Sequence, residues 1–97
     1  MEERLLSIRK RFKEKVIDRA EDYAPFGWEY WIKPLKVVSF DGKKIILYHP
    51  GDEYGDFMGV NVWVMTHYGE LIRELLNEGV KDKIAVEFTK KENERAL

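Results

Sequence analysis

The chain of 97 residues contains no cysteine and no glutamine, and only three asparagines, three prolines and two histidines. Without cysteine there is no disulfide, no thiolate nucleophile and no Cys-ligated zinc. No stretch approaches the ~18 apolar residues of a membrane-spanning helix. The first residues, with Glu2, Glu3 and Arg4, lack the apolar run of a signal peptide. A cytoplasmic protein with no membrane contact is therefore expected. The scarcity of amide side chains beside many Lys, Arg and Glu points to a thermophilic source. An excess of one charge is missing too: 17 Lys+Arg against 18 Asp+Glu leave a net charge of −1. No global field draws this chain to a polyanion.

What is present is apolar and aromatic. Hydrophobic residues make up 44% of the chain and include three Trp, five Tyr and five Phe, enough for a core without covalent staples. Leu5, Ile8, Phe12, Val16 and Ala20 recur at helical spacing and predict a first helix over residues 3–22. Its other face is basic. Residues 1–20 carry a net charge of +3, so the remaining 77 residues carry −4. Pro25 and Pro34 bracket a short second helix rich in aromatics, Phe26 to Ile32. Residues 35–40 and 43–48 read as a hairpin around Asp41-Gly42. Gly51 to Gly59 reads as a loop bearing acids and large apolar groups. A third helix is predicted over 60–78 and a last strand over 84–89. The sum is an α+β fold of order α-α-β-β-α-β, with helices packed on one three-stranded sheet. Residues 1–89 form the expected domain, and 90–97 a charged tail or the start of a linker. Trp31 and Trp63 lie on the apolar stripes of their helices and are expected to be buried side by side.

Chemistry-bearing residues are sparse. The only serines are Ser7, on the basic helix, and Ser39, in a strand, and neither sits in a nucleophile pattern. There is no phosphate-binding glycine loop and no dinucleotide fingerprint. His49 lies near Asp52, Glu53 and Asp56, but no His pair at i, i+4 supports a metal site. The expectation is a non-enzymatic protein with no metal and no cofactor. Arg9, Lys10, Arg11, Lys13 and Lys15 are the candidates for contact with nucleic acid, set against the plainer reading of a solvated helix face. Tyr54, Phe57 and Met58 are either a lid over the core or a partner-binding knob.

At Trp31-Ile32-Lys33-Pro34-Leu35 the chain resembles the N-terminal domain (domain I) of the bacterial replication initiator DnaA. That family has an amphipathic first helix and a short aromatic helix ending in Trp-Ile-x-Pro-Leu. Its second strand ends in Leu-Tyr-x-Pro, as Leu47-Tyr48-His49-Pro50 does here. Its third helix opens with Trp-Val and has a Tyr five residues after the Trp, as at Trp63-Val64 and Tyr68. The resemblance covers residues 5–89 and implies a KH-like α-α-β-β-α-β domain. It also implies a protein-interaction module that self-associates as a weak homodimer and binds the replicative helicase or regulators of initiation. Contact with single-stranded DNA would be weak at most.

By the resemblance, Phe12 falls at an aromatic used in self-association. The second helix and the start of the third would form one partner-facing surface, which here would carry Trp28, Tyr30, Tyr54, Phe57 and Met58. The chain departs from the family at three places. Gly27 stands where some members carry an acid. Twelve residues, Gly51 to Val62, replace a shorter link with an Asn-x-Phe pattern. The third is context: these 97 residues carry no ATPase or DNA-binding segment themselves, so either an excised domain or a stand-alone relative is expected. The runner-up reading is a small KH-like nucleic-acid-binding module that uses the basic first helix. The Gly-x-x-Gly loop of RNA-binding KH domains is absent: Gly51, Gly55 and Gly59 are spaced by four, in an acidic setting.

Overall fold

Ile8, Phe12, Val16 and Ala20 recur strictly every four residues, and that spacing shapes the first helix. In an α-helix each four-residue step overshoots a full turn by about 40°, so a row of fours drifts off the core-facing side. The chain corrects the drift with one wider turn. In the computed structural model, which describes residues 2–51 and 59–89, helix α1 (Glu2–Phe12) runs into a π-helical turn (Lys13–Ile17) and on into α2 (Asp18–Tyr23). The Asp18 N–H closes the wide turn on the Lys13 carbonyl. All four stripe residues are buried as a result.

Ala24 leaves the helical region, as a residue before proline tends to do. The expected short second helix is a single π-helical turn, Trp28–Ile32, in which the Lys33 N–H reaches the Trp28 carbonyl at 2.8 Å. Pro34 explains its brevity. It has no N–H to give the Tyr30 carbonyl four residues back, so the helix cannot continue.

Strands β1 (Lys36–Phe40) and β2 (Lys44–Tyr48) pair antiparallel, with a bulge between Val37 and Ser39. The turn centres one residue later than expected, on Gly42-Lys43, because the Asp41 N–H bonds the Lys44 carbonyl. Gly42 takes φ +99°, and the Asp41 carboxylate accepts the N–H groups of Lys43 and Lys44, each at 2.8 Å. Helix α3 (Val60–Leu76) then crosses over to β3 (Ala85–Phe88), which lies parallel to β2. A parallel neighbour requires such a crossover, and the helix supplies it. The sheet order β1-β2-β3 puts β2 at the centre.

The expected α+β architecture is the observed one, a mixed three-stranded sheet covered by helices. Ile45 and Leu47 of β2 meet Val16, Ile32, Val64, Ile72 and Leu76 in a core with no solvent exposure at these positions. Two side chains close the seams. Asn77, at the end of α3, accepts the Ile84 N–H and donates to the Ile84 carbonyl, acting as a strand partner where the backbone has none. Arg11 donates to the Leu76 and Glu78 carbonyls, which the end of α3 would leave unpaired. Its positive charge also suits that end of the helix dipole. Among the described residues, no helix is long and apolar enough to cross a membrane.

Candidate interaction surface

The carbonyl that Pro34 orphans is where the candidate surface begins. The Tyr30 carbonyl is taken by His49, whose Nε2–H donates to it at 2.8 Å. A carbonyl only accepts, so this bond sets the tautomer and leaves Nδ1 as an acceptor, which the Gly51 N–H fills at 3.0 Å. Both ring nitrogens are thereby held by the protein itself, and the suggestion of a metal at His49 loses its ligand. Asn61, in the first turn of α3, holds the same residue by its backbone: Oδ1 accepts the His49 N–H at 2.7 Å and Nδ2 donates to the His49 carbonyl at 3.3 Å. His49 and Asn61 are both buried. Together they lock the end of β2 to the second π turn and to the start of α3.

On this lock stands a row of rings. Tyr30 meets Trp31 at 5.5 Å between centroids, Trp31 stacks on Trp63 at 4.1 Å, and Trp63 stacks on His67 at 3.9 Å. The His67 Nδ1–H donates to the Trp63 carbonyl one turn back, which holds the imidazole flat against the indole. Val62, Thr66 and Gly59 join Trp31, Trp63 and His67 around a shallow hollow of about 240 Å³. Tyr30 is 75% exposed, Trp63 38% and Val62 45%. The two tryptophans are neighbours, as expected. They are not both buried: Trp31 is half-buried and Trp63 is exposed, because its position on α3 falls at the edge of the inward stripe, beyond Val60 and Val64. Phe26, at the turn before this surface, is fully exposed.

Gly27 lies beneath the row. A Cβ there would run into the Tyr68 hydroxyl and come within 3.0 Å of Trp31 Cδ1. A side chain at this position would force Tyr68 or Trp31 to shift.

Compared with protein-family models and with curated proteins, the chain matches none.

Of the candidate contact residues that are described, Tyr30 alone lies on this row. Trp28 does not share its face. It is half-buried on a different side, where its indole N–H donates to the Ile17 carbonyl at 2.6 Å, at the end of the first π turn. Phe12 is 2% exposed and packs in the core, so it offers no surface for self-association. Tyr54, Phe57 and Met58, and the tail 90–97, lie outside the described residues.

Most of the basic run is bonded to groups of the chain itself, although Arg9, Lys10 and Lys13 remain exposed. Arg9 donates through Nε and Nη2 to the Val37 carbonyl beside the β1 bulge. Arg11 caps α3. Lys13 pairs with Asp18 at 3.1 Å, and Lys15 lies 3.9 Å from Glu78, which Arg19 holds at 2.6 Å. The Arg19 hydrogen bond, aided by the charges of Lys15 and Arg11, keeps the Glu78 carboxyl below its ordinary pKa. Lys10 is exposed. These cations are splayed over several partners rather than converging on one phosphate track.

Sequence reasoning missed Asn61, Trp63 and His67 as parts of one surface. One signal was available. Proline four residues after Tyr30 leaves a carbonyl that some side chain has to satisfy.

Proposed function

We propose that this chain acts by binding other proteins, as the N-terminal interaction domain of a replication initiator does. It docks the replicative helicase or a regulator of initiation, and self-associates weakly, in the cytoplasm and without a catalytic step of its own. The observation that carries this reading is the ring row of Tyr30, Trp31, Trp63 and His67, in which all but the half-buried Trp31 are exposed. It stands at the junction of the second π turn and the start of α3, where the resemblance puts the partner-facing surface. Aromatic side chains held rigid in this way lose little entropy on binding, and interfaces concentrate their energy in them. The lock through His49 and Asn61 supports the same reading, because it fixes the geometry of the row before any partner arrives.

The test is a titration of the purified replicative helicase of the same organism against the chain and two variants. Tyr30→Ala removes an exposed ring. Val62→Asp puts a charge at the rim of the hollow, in the first turn of α3, where the helix dipole favours an acid and the fold is spared. Each variant is expected to bind at least tenfold more weakly, about 1.4 kcal/mol or more, while keeping its circular dichroism. Unchanged binding in both would refute the assignment of this surface.

A further inference from the structure

The two outer edges of the sheet are finished differently. At β1, Arg9 fills the Val37 carbonyl twice, and the bulge beside it breaks the strand register. At β3, the pairing with β2 is unbroken, and the strand holds no proline, no lysine and no bulge, which are common ways of blunting an edge. The Ala85 N–H bonds the Lys43 carbonyl and the Thr89 N–H bonds the Leu47 carbonyl, each at 2.9 Å. Backbone groups alternate in direction along a strand, so those of Ile84, Val86 and Phe88 point away from β2. Ile84 already has a partner there. Asn77 accepts its N–H at 2.6 Å and donates to its carbonyl at 3.0 Å, the two bonds a neighbouring strand would make. Val86 and Phe88, the next places in that row, each present an N–H and a carbonyl paired with no group among the described residues. Their side chains are half-buried against the core.

Donors and acceptors that alternate at strand spacing are matched by one kind of occupant, another extended backbone. A second copy of this chain fits badly. Two-fold symmetry would set β3 antiparallel to its copy. Pairing Val86 with the copy's Phe88 then puts the two Glu87 side chains directly opposite, where like charges destabilise. Pairing Val86 with its own copy sets Phe88 against Ile84, whose groups Asn77 holds. Pairing Phe88 with its own copy leaves Val86 opposite a residue beyond the end of β3.

We infer that the open edge of β3 binds an extended segment of another protein, which adds to the sheet as a fourth strand beside Val86 and Phe88. The added strand runs antiparallel, the more stable pairing per residue. It sets two apolar, β-branched side chains next to Val86 and Phe88 on the core side. On the outer face it sets a residue other than an acid opposite Glu87, which Lys44 holds at 3.3 Å. This goes beyond the function proposed above and uses no residue of the ring row, so either can fail without the other.

The test uses the full chain and a short fluorescein-labelled peptide in which valine and threonine alternate between terminal lysines. Anisotropy should show saturable binding. Methylating the backbone nitrogens of the valines, which face β3 in this pairing, should weaken it about tenfold or more. Methylating those of the threonines, which face away, should change it less than about twofold. In hydrogen exchange, the Val86 and Phe88 amides should exchange fast in the free chain and about tenfold or more slowly at saturating peptide, while the Glu87 amide, which faces β2, stays slow in both. Val86→Pro removes one donor where an edge strand tolerates proline, and should weaken binding about fivefold or more. If that variant does not fold, the exchange measurement on the parent chain decides. The inference is overturned if the peptide does not bind, if the two methylated sets bind alike, or if binding leaves exchange at Val86 and Phe88 unchanged. It is equally overturned if those amides are slow in the dilute free chain, which means that residues 90–97 cover the edge. So it is if they become slow as the chain is concentrated, which means that a second copy does.

Discussion

Replacing Asn61 by alanine tests whether the lock beneath the ring row holds the fold together. Asn61 is 2% exposed, and its amide bonds both backbone groups of His49, which is itself 7% exposed. Alanine keeps the helix and removes both partners at once. Water has little access to replace them. Each buried backbone group left unpaired costs about 1–3 kcal/mol, so with two of them the substitution should cost roughly 2–6 kcal/mol. A domain of this size has about 5–15 kcal/mol in total, so the loss is a large fraction of its stability. The assay is urea unfolding followed by tryptophan fluorescence. With a slope of about 1–3 kcal/mol per molar, the midpoint should fall by at least ~0.7 M while the slope stays the same. Asn61→Asp sharpens the test. It keeps the acceptor for the His49 N–H but turns a carboxylate oxygen toward the His49 carbonyl, so at neutral pH it should be at least as destabilising as alanine. A loss below ~1 kcal/mol in the alanine variant would mean that these groups find other partners, and the reasoning from the buried lock would be wrong.

Three further outcomes are expected. Phe12→Ala should cost about 3–5 kcal/mol in chemical unfolding, the value for emptying a core site, and any loss of self-association should track that unfolding rather than precede it. Gly27→Ala should destabilise by about 1–3 kcal/mol through the clash with the Tyr68 hydroxyl, and Tyr68→Phe in the same chain should recover part of the loss, since it removes the nearest atom; a double-mutant cycle showing no coupling would refute this contact. Glu78 binds its proton less tightly folded than unfolded, so stability is present above the ordinary carboxylate range, about pH 4, and falls as the pH drops through and below it; melting temperatures taken across that range should show the decline, and Glu78→Gln should flatten it.

The order of elements was legible in the sequence because local chemistry dictates it. The stripe of Leu5 to Ala20, the prolines at 25 and 34, Asp41-Gly42 between two β-branched runs, and the alternation of Ile84 to Phe88 each act within a few residues. Hydrophobic spacing and turn chemistry need no knowledge of distant partners. The four-residue spacing even contained the first π turn, which becomes visible once the angular drift of an α-helix is counted.

What only the tertiary structure decided concerns long-range contact. Phe12 and Trp63 are both aromatic residues on amphipathic helices, and spacing alone gave no reason to separate them. Phe12 is covered because α1 packs against β1 and sends it into the core cluster, whereas Trp63 lies outward because Trp31 and His67, rather than the core, take its faces. Trp28 and Tyr30, two residues apart, part company because a carbonyl at Ile17 captures one and a stack with Trp31 holds the other. The basic residues look free in sequence, yet Arg9 and Arg11 are bound to carbonyls 28 and 65 residues away. The sequence by itself determines which residues are apolar, charged or turn-forming. Which face a side chain shows to a partner depends on groups far along the chain, whose positions are settled only when the helices close over the sheet.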